Sequence, residues 1–194
     1  MNAQPGPRCA AEPRSRRARL RAVLRVAAAC LLATACLAPA PSGAEVGRDD
    51  VLPLADFPRE PVVIETRSAR RHEFDAWRAD TPRTREQGLM FVRGIGAEQA
   101  MIFVYDPPAN VSMWMKNTLL PLDMLFVDRH GCVVNVKHDA QPGSLAIVPA
   151  GAPVELVVEL RGGTARALGI GVGDRVLRPQ AGWPAGPATC AGLH

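Results

Sequence analysis

MWMKNTLLPLDMLFVDRHG, residues 113–131, holds two runs of large apolar side chains around a short polar break and closes on a turn. The runs predict β-strands over Val111 to Lys116 and over Leu122 to Val127. Lys116, Asn117 and Asp123 sit inside this apolar block. Charged groups in such company must be paired, hydrogen-bonded or placed at a mouth, because burying them bare is costly.

Pairing the two strands as a hairpin sets Lys116 against Asp123, Trp114 against Leu125 and Ser112 against Val127. The opposite face then carries Met115 against Met124 and Met113 against Phe126, a dry core layer. Trp114, Lys116, Asn117 and Asp123 form, on one reading, the mouth of a ligand pocket, since an aromatic platform with a few convergent polar groups is a usual pocket composition. On the other reading, Asp123 is a buried carboxylate that ties down the hairpin loop through Lys116 and backbone N–H groups. Ion-pair networks arise for structure alone, which favours the second.

Outward from this block the chain reads as short strands. Val62 to Thr66 is β-branched. Glu73 to Ala79 alternates, with Phe74 and Ala76 on one side and Asp75 and Trp77 on the other. Thr81-Pro82 starts a helix, Thr as N-cap and Pro at the first helical position, and Gly88 marks close packing or the exit. Ala100 to Tyr105 is a buried strand that Asp106-Pro107-Pro108-Ala109-Asn110 breaks. Cys132 to His138 and Pro153 to Leu160 are further strands, and Leu145 to Val148 can add a short one. Thr164 caps a short helix ending at Gly169, and Arg175 to Arg178 is the last strand. The expected fold is mainly β (α+β): a small closed or partly open β-barrel of seven to nine short strands with two short helices.

The 194-residue chain divides unevenly in charge. Residues 1–44 hold seven Arg and one acid, +6; residues 45–194 hold 16 Lys/Arg and 18 Asp/Glu, −2. The body lacks a basic face for phosphates, which argues against a nucleic-acid partner. Residues 1–44 read as a signal peptide: a basic region to Arg25, an apolar stretch from Val26 to Ala38, then Pro39, Pro41 and small residues. As a helix the apolar stretch rises about 20 Å, short of the roughly 30 Å hydrocarbon core, so no permanent membrane span is expected. Twin-arginine-like residues around Arg16-Arg17 and a lipoprotein-like Ala33-Thr34-Ala35-Cys36 are variants of the same export reading. Residues 45–60, with Pro53 and Pro58, read as a linker, 61–178 as a single β-rich domain, and 179–194 as an irregular tail. Localisation is expected to be periplasmic or extracellular after cleavage.

Cleavage would leave two cysteines, Cys132 and Cys190. An even pair in an oxidising compartment suggests one disulfide, the alternative being two unpaired thiols. Other candidates weigh less. Met113 and Met115 suggest soft copper(I) ligands, but they share a strand face with apolar neighbours and read better as core. The four histidines show no ligand spacing, and no metal site is expected. Arg83 begins a helix, where a solvated charged face is the default, though it could meet an anionic ligand. Metalloprotease, redox, hydrolase-elbow and phosphate-loop signatures are missing, and no cofactor is implied.

With those residues in view, the chain resembles the domain-of-unknown-function 192 family. The resemblance rests on Thr84-Arg85-Glu86-Gln87-Gly88-Leu89-Met90, Met101-Ile102-Phe103, Trp114-Met115-Lys116-Asn117-Thr118, Pro121-Leu122-Asp123 and the run Gly169 to Val176, in that order. It implies a compact, mostly β domain with short helices and no established activity, substrate or catalytic residue. Ala100 departs from the glycine that the family commonly places before the Met-hydrophobic-Phe strand. The expected function is that of an exported, soluble, monomeric binding or accessory module of the cell envelope, its partner an unidentified small molecule or envelope protein. A hydrolase or lyase using Lys116 and Asp123 is the rival reading, and a copper-handling periplasmic protein the weaker third.

Overall fold

A computed structural model describes residues 47–179 and Cys190. Residues 1–46, which include the expected signal peptide, and most of the expected C-terminal tail lie outside the described residues.

Seven strands form one sheet. β1 (Arg59–Glu65) and β2 (Arg71–Ala79) are antiparallel, with Val62 opposite Phe74. Helix α1 (Pro82–Gln87) leads to β3 (Gln99–Met113), which lies parallel to β2. β4 (Leu122–Val127), β5 (Val133–Ala140) and β6 (Val148–Arg161) follow, then helix α2 (Thr164–Leu168) and β7 (Arg175–Leu177). The order across the sheet is β5-β4-β6-β3-β2-β1-β7. The sheet curls until its two edges touch: Cys132 bridges Arg175, Val133 N–H donates to Asp174 O at 2.9 Å, and Val176 N–H donates to Gly131 O at 2.8 Å. A disulfide joins Cys132 to Cys190 at this seam, with a Cα–Cα distance of 5.6 Å. The architecture is the mainly-β, partly open barrel with two short helices that strand count and turn spacing predict.

Both faces of the sheet are apolar. Ile64, Phe74, Ile102, Leu125 and Leu156 pack on one face with Ala165 of α2. Met101, Phe103, Met113, Met124 and Phe126 pack on the other, under Leu89, Met115 and Leu120 of the connecting segments. Every residue of β4 is therefore buried.

That double burial explains the largest departure from expectation. β3 and β4 do not form a hairpin. β6 lies between them, pairing Met113 with Val148 and Asp123 with Leu160. A strand apolar on both faces has no polar side to fix its partner, so alternation alone cannot choose between a hairpin and a central slot. Lys116 and Asp123 consequently do not face each other across a hairpin.

Smaller departures have local causes. Strand β3 runs on through Pro107 and Pro108, but the ladder skips from Val104–Leu156 to Ala109–Val154, so the N–H-less prolines sit in a bulge. Thr164 does not cap α2. Gly163, in the left-handed region at φ 83°, holds the N-cap position and makes no side-chain hydrogen bond. Helix α1 begins as its sequence predicts: Thr84 N–H donates to Thr81 Oγ1 at 3.1 Å and Pro82 is the first residue. Upstream, Phe57 is buried in the core, and Gln87 clasps Leu52 through two backbone bonds of 2.7 and 2.8 Å. No helix among the described residues is long and apolar enough to cross a membrane.

Candidate functional site

Residues 114–121 lead from β3 to β4 over one face of the sheet. Lys116 and Asn117 form a turn, with Asn117 left-handed at φ 57°. The turn is pinned to the exit of α1: Phe91 N–H donates to Asn117 O at 2.8 Å, and Thr118 bridges Met90. Gly88 makes this approach feasible. Its φ of 48° suits glycine, and a Cβ there would meet Phe103 Cζ at 2.9 Å.

Between α1, the 114–118 segment and the sheet lies a pocket of about 290 Å³. Its walls include Gln87, Leu89, Met90, Phe103 and Met113, and its charged or polar groups include Arg85, Glu86, Tyr105, Trp114, Lys116, Thr118 and Glu159. Lys116 Nζ lies 5.3 Å from the centroid of the Trp114 ring, and Arg85 Cζ lies 5.2 Å from that of Tyr105. Both distances are within cation–π reach. Arg85 is also fixed by donating to the carbonyls of Asp80 at 2.7 Å and Val104 at 2.9 Å. The Tyr105 hydroxyl donates to Met113 Sδ at 3.9 Å, and burial pushes its pKa up to about 12.

Glu159 is the residue that sequence reading missed. It stands on the central strand β6, opposite Met101 of β3 and Met124 of β4, and only 3% of it is exposed. Oε2 has no hydrogen-bond partner among the described residues. Desolvation by burial pushes the carboxyl pKa up to about 8, so near neutrality it holds its proton and is a hydrogen-bond donor. In PVELVVEL the alternation of Glu155, Val157 and Glu159 reads as a solvent-facing side. The usable signal is that Val157-Val158-Glu159-Leu160 is too apolar for an edge strand.

The other residues singled out from sequence part company. Trp114 and Lys116 line the pocket together. Asn117 is beside it, its amide donating to Met90 Sδ at 3.9 Å. Asp123 is fully buried and does not line the pocket. Its Oδ1 accepts the N–H of Asp139 at 2.9 Å and its Oδ2 that of Ala165 at 2.7 Å. The carboxylate of Asp123 thus supplies to the first turn of α2 the cap that Thr164 does not, and a negative group is favourable there. Arg83 is exposed, donates to Asp50 O at 3.2 Å and does not line the pocket. Met113 and Met115 are buried core residues. Among the described residues no group of His, Cys, Asp or Glu could hold a metal ion.

Two solved structures resemble this one. A Sinorhizobium meliloti protein, provisionally described as a transcription regulator, is 40% identical, with a TM-score of 0.62 over 63% of this chain and 95% of its own. A Novosphingobium aromaticivorans protein of unknown function is 38% identical, with a TM-score of 0.62 over 66% of this chain and 90% of its own. No curated protein matches the chain significantly. The motif run from Thr84 to Val176 falls wholly inside residues 63–177, which match the family model described as Uncharacterized ACR, and the chain belongs to that family, DUF192.

Proposed function

We propose that this protein is exported and acts in the bacterial cell envelope as a binding or accessory module whose pocket takes a small molecule. The observation that carries the binding half is Glu159: a buried carboxyl with an unpartnered oxygen, on the floor of a pocket with Trp114 and Lys116 among its lining residues. A buried polar group without a partner costs stability, and a core position of this kind would be cheaper as Leu or Met. A bound group that completes the hydrogen bond gives the acid a reason to be there. Export is supported by the basic and apolar pattern of residues 1–44 and by the near-neutral body that follows.

The rival reading of acid–base catalysis by Lys116 and Asp123 loses support, because both carboxylate oxygens of Asp123 are engaged by backbone N–H groups away from the pocket. Two measurements test the proposal. Expression of the full chain followed by fractionation and N-terminal mass spectrometry should find the protein in the envelope, cut near residue 44; recovery of uncut chain in the cytoplasm rejects export. Titration of the purified protein with a library of small metabolites, followed through the Trp114 indole N–H resonance, should give saturable shifts. If no compound moves that resonance or the methyls of Met90 and Met113, the pocket is not a binding site.

A further inference from the structure

The chemistry of the pocket also selects among ligands, an inference that rests on the pocket being a binding site. A buried acid among aromatic and thioether groups could suit either of two opposite guests. One is an ammonium ion, which would draw the proton from Glu159 and rest on aromatic faces. The other is an anion or strong acceptor, which would take a hydrogen bond from the Glu159 O–H.

The rings decide between them. Of the three rings that line the pocket, two already have a cation of the protein beside them, Lys116 at Trp114 and Arg85 at Tyr105, and the third, Phe103, belongs to the apolar wall. A third cation would meet the two like charges of Arg85 and Lys116. The titratable groups that share the pocket with Glu159 are Arg85 and Glu86 from α1, Tyr105 from β3 and Lys116 from the connecting segment. Met124 represents β4 opposite Glu159, and Met101 is its counterpart on β3. Glu86 is exposed while Glu159 is at the floor, so positive groups outnumber negative ones where a ligand enters. Leu89, Met90, Phe103 and Met113 offer an apolar body its contacts. The volume, about 290 Å³, is at the small end for ligand sites.

We propose that the pocket binds a small organic acid, its carboxylate drawn by Arg85 and Lys116 and accepting the O–H of Glu159, its apolar body against the Met/Phe wall. An O–H···O⁻ bond of this type is short and stronger than a neutral one. The bound anion would also hold the Glu159 proton more tightly, since two carboxylates in one site do not both ionise. Binding is then linked to that proton. Ionisation of Glu159 near pH 8 removes the donor and adds repulsion, so affinity falls as pH rises.

The test is an NMR titration of the protein purified from full-chain expression, with butyrate, hexanoate and benzoate, and with hexanamide and hexylamine as matched neutral and cationic probes, at pH 6.5 and 9. The acids should shift the Trp114 indole and the Met90 and Met113 methyls, with Kd weaker by about tenfold at pH 9, as expected for a site that must keep a proton of pKa about 8. Glu159→Gln, which keeps an N–H donor, should bind the acids at pH 6.5 and lose the change between the two pH values. Tighter binding of hexylamine than of hexanoate, or wild-type affinities for the acids that do not change with pH, overturns the inference and leaves the pocket standing. Failure of all probes, charged and neutral, to move those resonances overturns the inference together with the binding site.

Discussion

The Ala165 N–H points at Asp123 Oδ2 from 2.7 Å, joining the start of α2 to the buried strand β4. The same carboxylate accepts the Asp139 N–H at 2.9 Å, so one side chain holds the end of β5 and the start of α2. Asp123→Asn keeps the volume but turns an amide toward one of the two donors. Loss of a charge-assisted bond and a buried N–H left unpaired should cost roughly 2–4 kcal/mol. Urea unfolding of the variant checks this, and the pocket resonances should respond to ligand as in the wild type. A variant as stable as the parent would remove Asp123 from the scaffold.

Glu159 should leave a signature in the pH dependence of stability. Its carboxyl has a raised pKa, about 8, when folded and the usual acid value when unfolded. Between those values the folded state holds a proton that the unfolded state has lost, so the contribution is fully present below the unfolded pKa and is lost as pH rises toward 8. The loss approaches about 1.4 kcal/mol per pH unit across that window. Glu159→Gln cannot ionise. From pH 5 to pH 8.5 the stability difference between the two proteins should move in favour of the Gln variant by an amount of the order of 3–5 kcal/mol. Parallel profiles in urea melts would contradict a proton held at this site.

Gly88 forms the turn between α1 and the pocket wall at φ 48°, with Phe103 where its Cβ would be. Gly88→Ala should therefore cost about 2–4 kcal/mol through backbone strain and overpacking. Gly94, where an added methyl would meet nothing within 4 Å, is the control, and Gly94→Ala should change the urea midpoint little.

Cys132 and Cys190 are 58 positions apart, and their bond fastens the tail where the sheet edges meet. Cys190→Ser should lower stability by about 2–4 kcal/mol. Dithiothreitol should bring the wild type down to the variant and leave the variant unchanged. Equal melting temperatures of the two proteins under oxidising conditions would refute a stabilising role.

Much of the fold was legible because the signals were local. Thr81-Pro82 marked a helix start that the structure keeps, and the alternation from Glu73 to Ala79 set Phe74 and Ala76 on one side, where both are buried, while Trp77 and Ala79 of the other side are buried as well, against the second core layer. Strand pairing was less legible. Nothing within residues 111–127 records that residues 148–161 will come between the two strands, and a run buried on both faces looks the same in either arrangement. The candidate site divided in the same way. Trp114 and Lys116, two residues apart, stay together in the pocket whatever the topology, whereas their association with Asp123 depended on a pairing that does not form. Glu159 was hidden for a related reason: a glutamate in an alternating strand reads as exposed until the covering layer is known.

The central position of β6 carries a consequence for synthesis. Both strands that flank it, β3 and β4, are made before it, and the last ladder between them closes only when residues up to Arg161 have emerged. Until then a nascent chain exposes sticky strand borders on its two oiliest segments. A holding chaperone would have its strongest claim on this chain during that interval, and fragments ending before residue 148 should precipitate rather than fold.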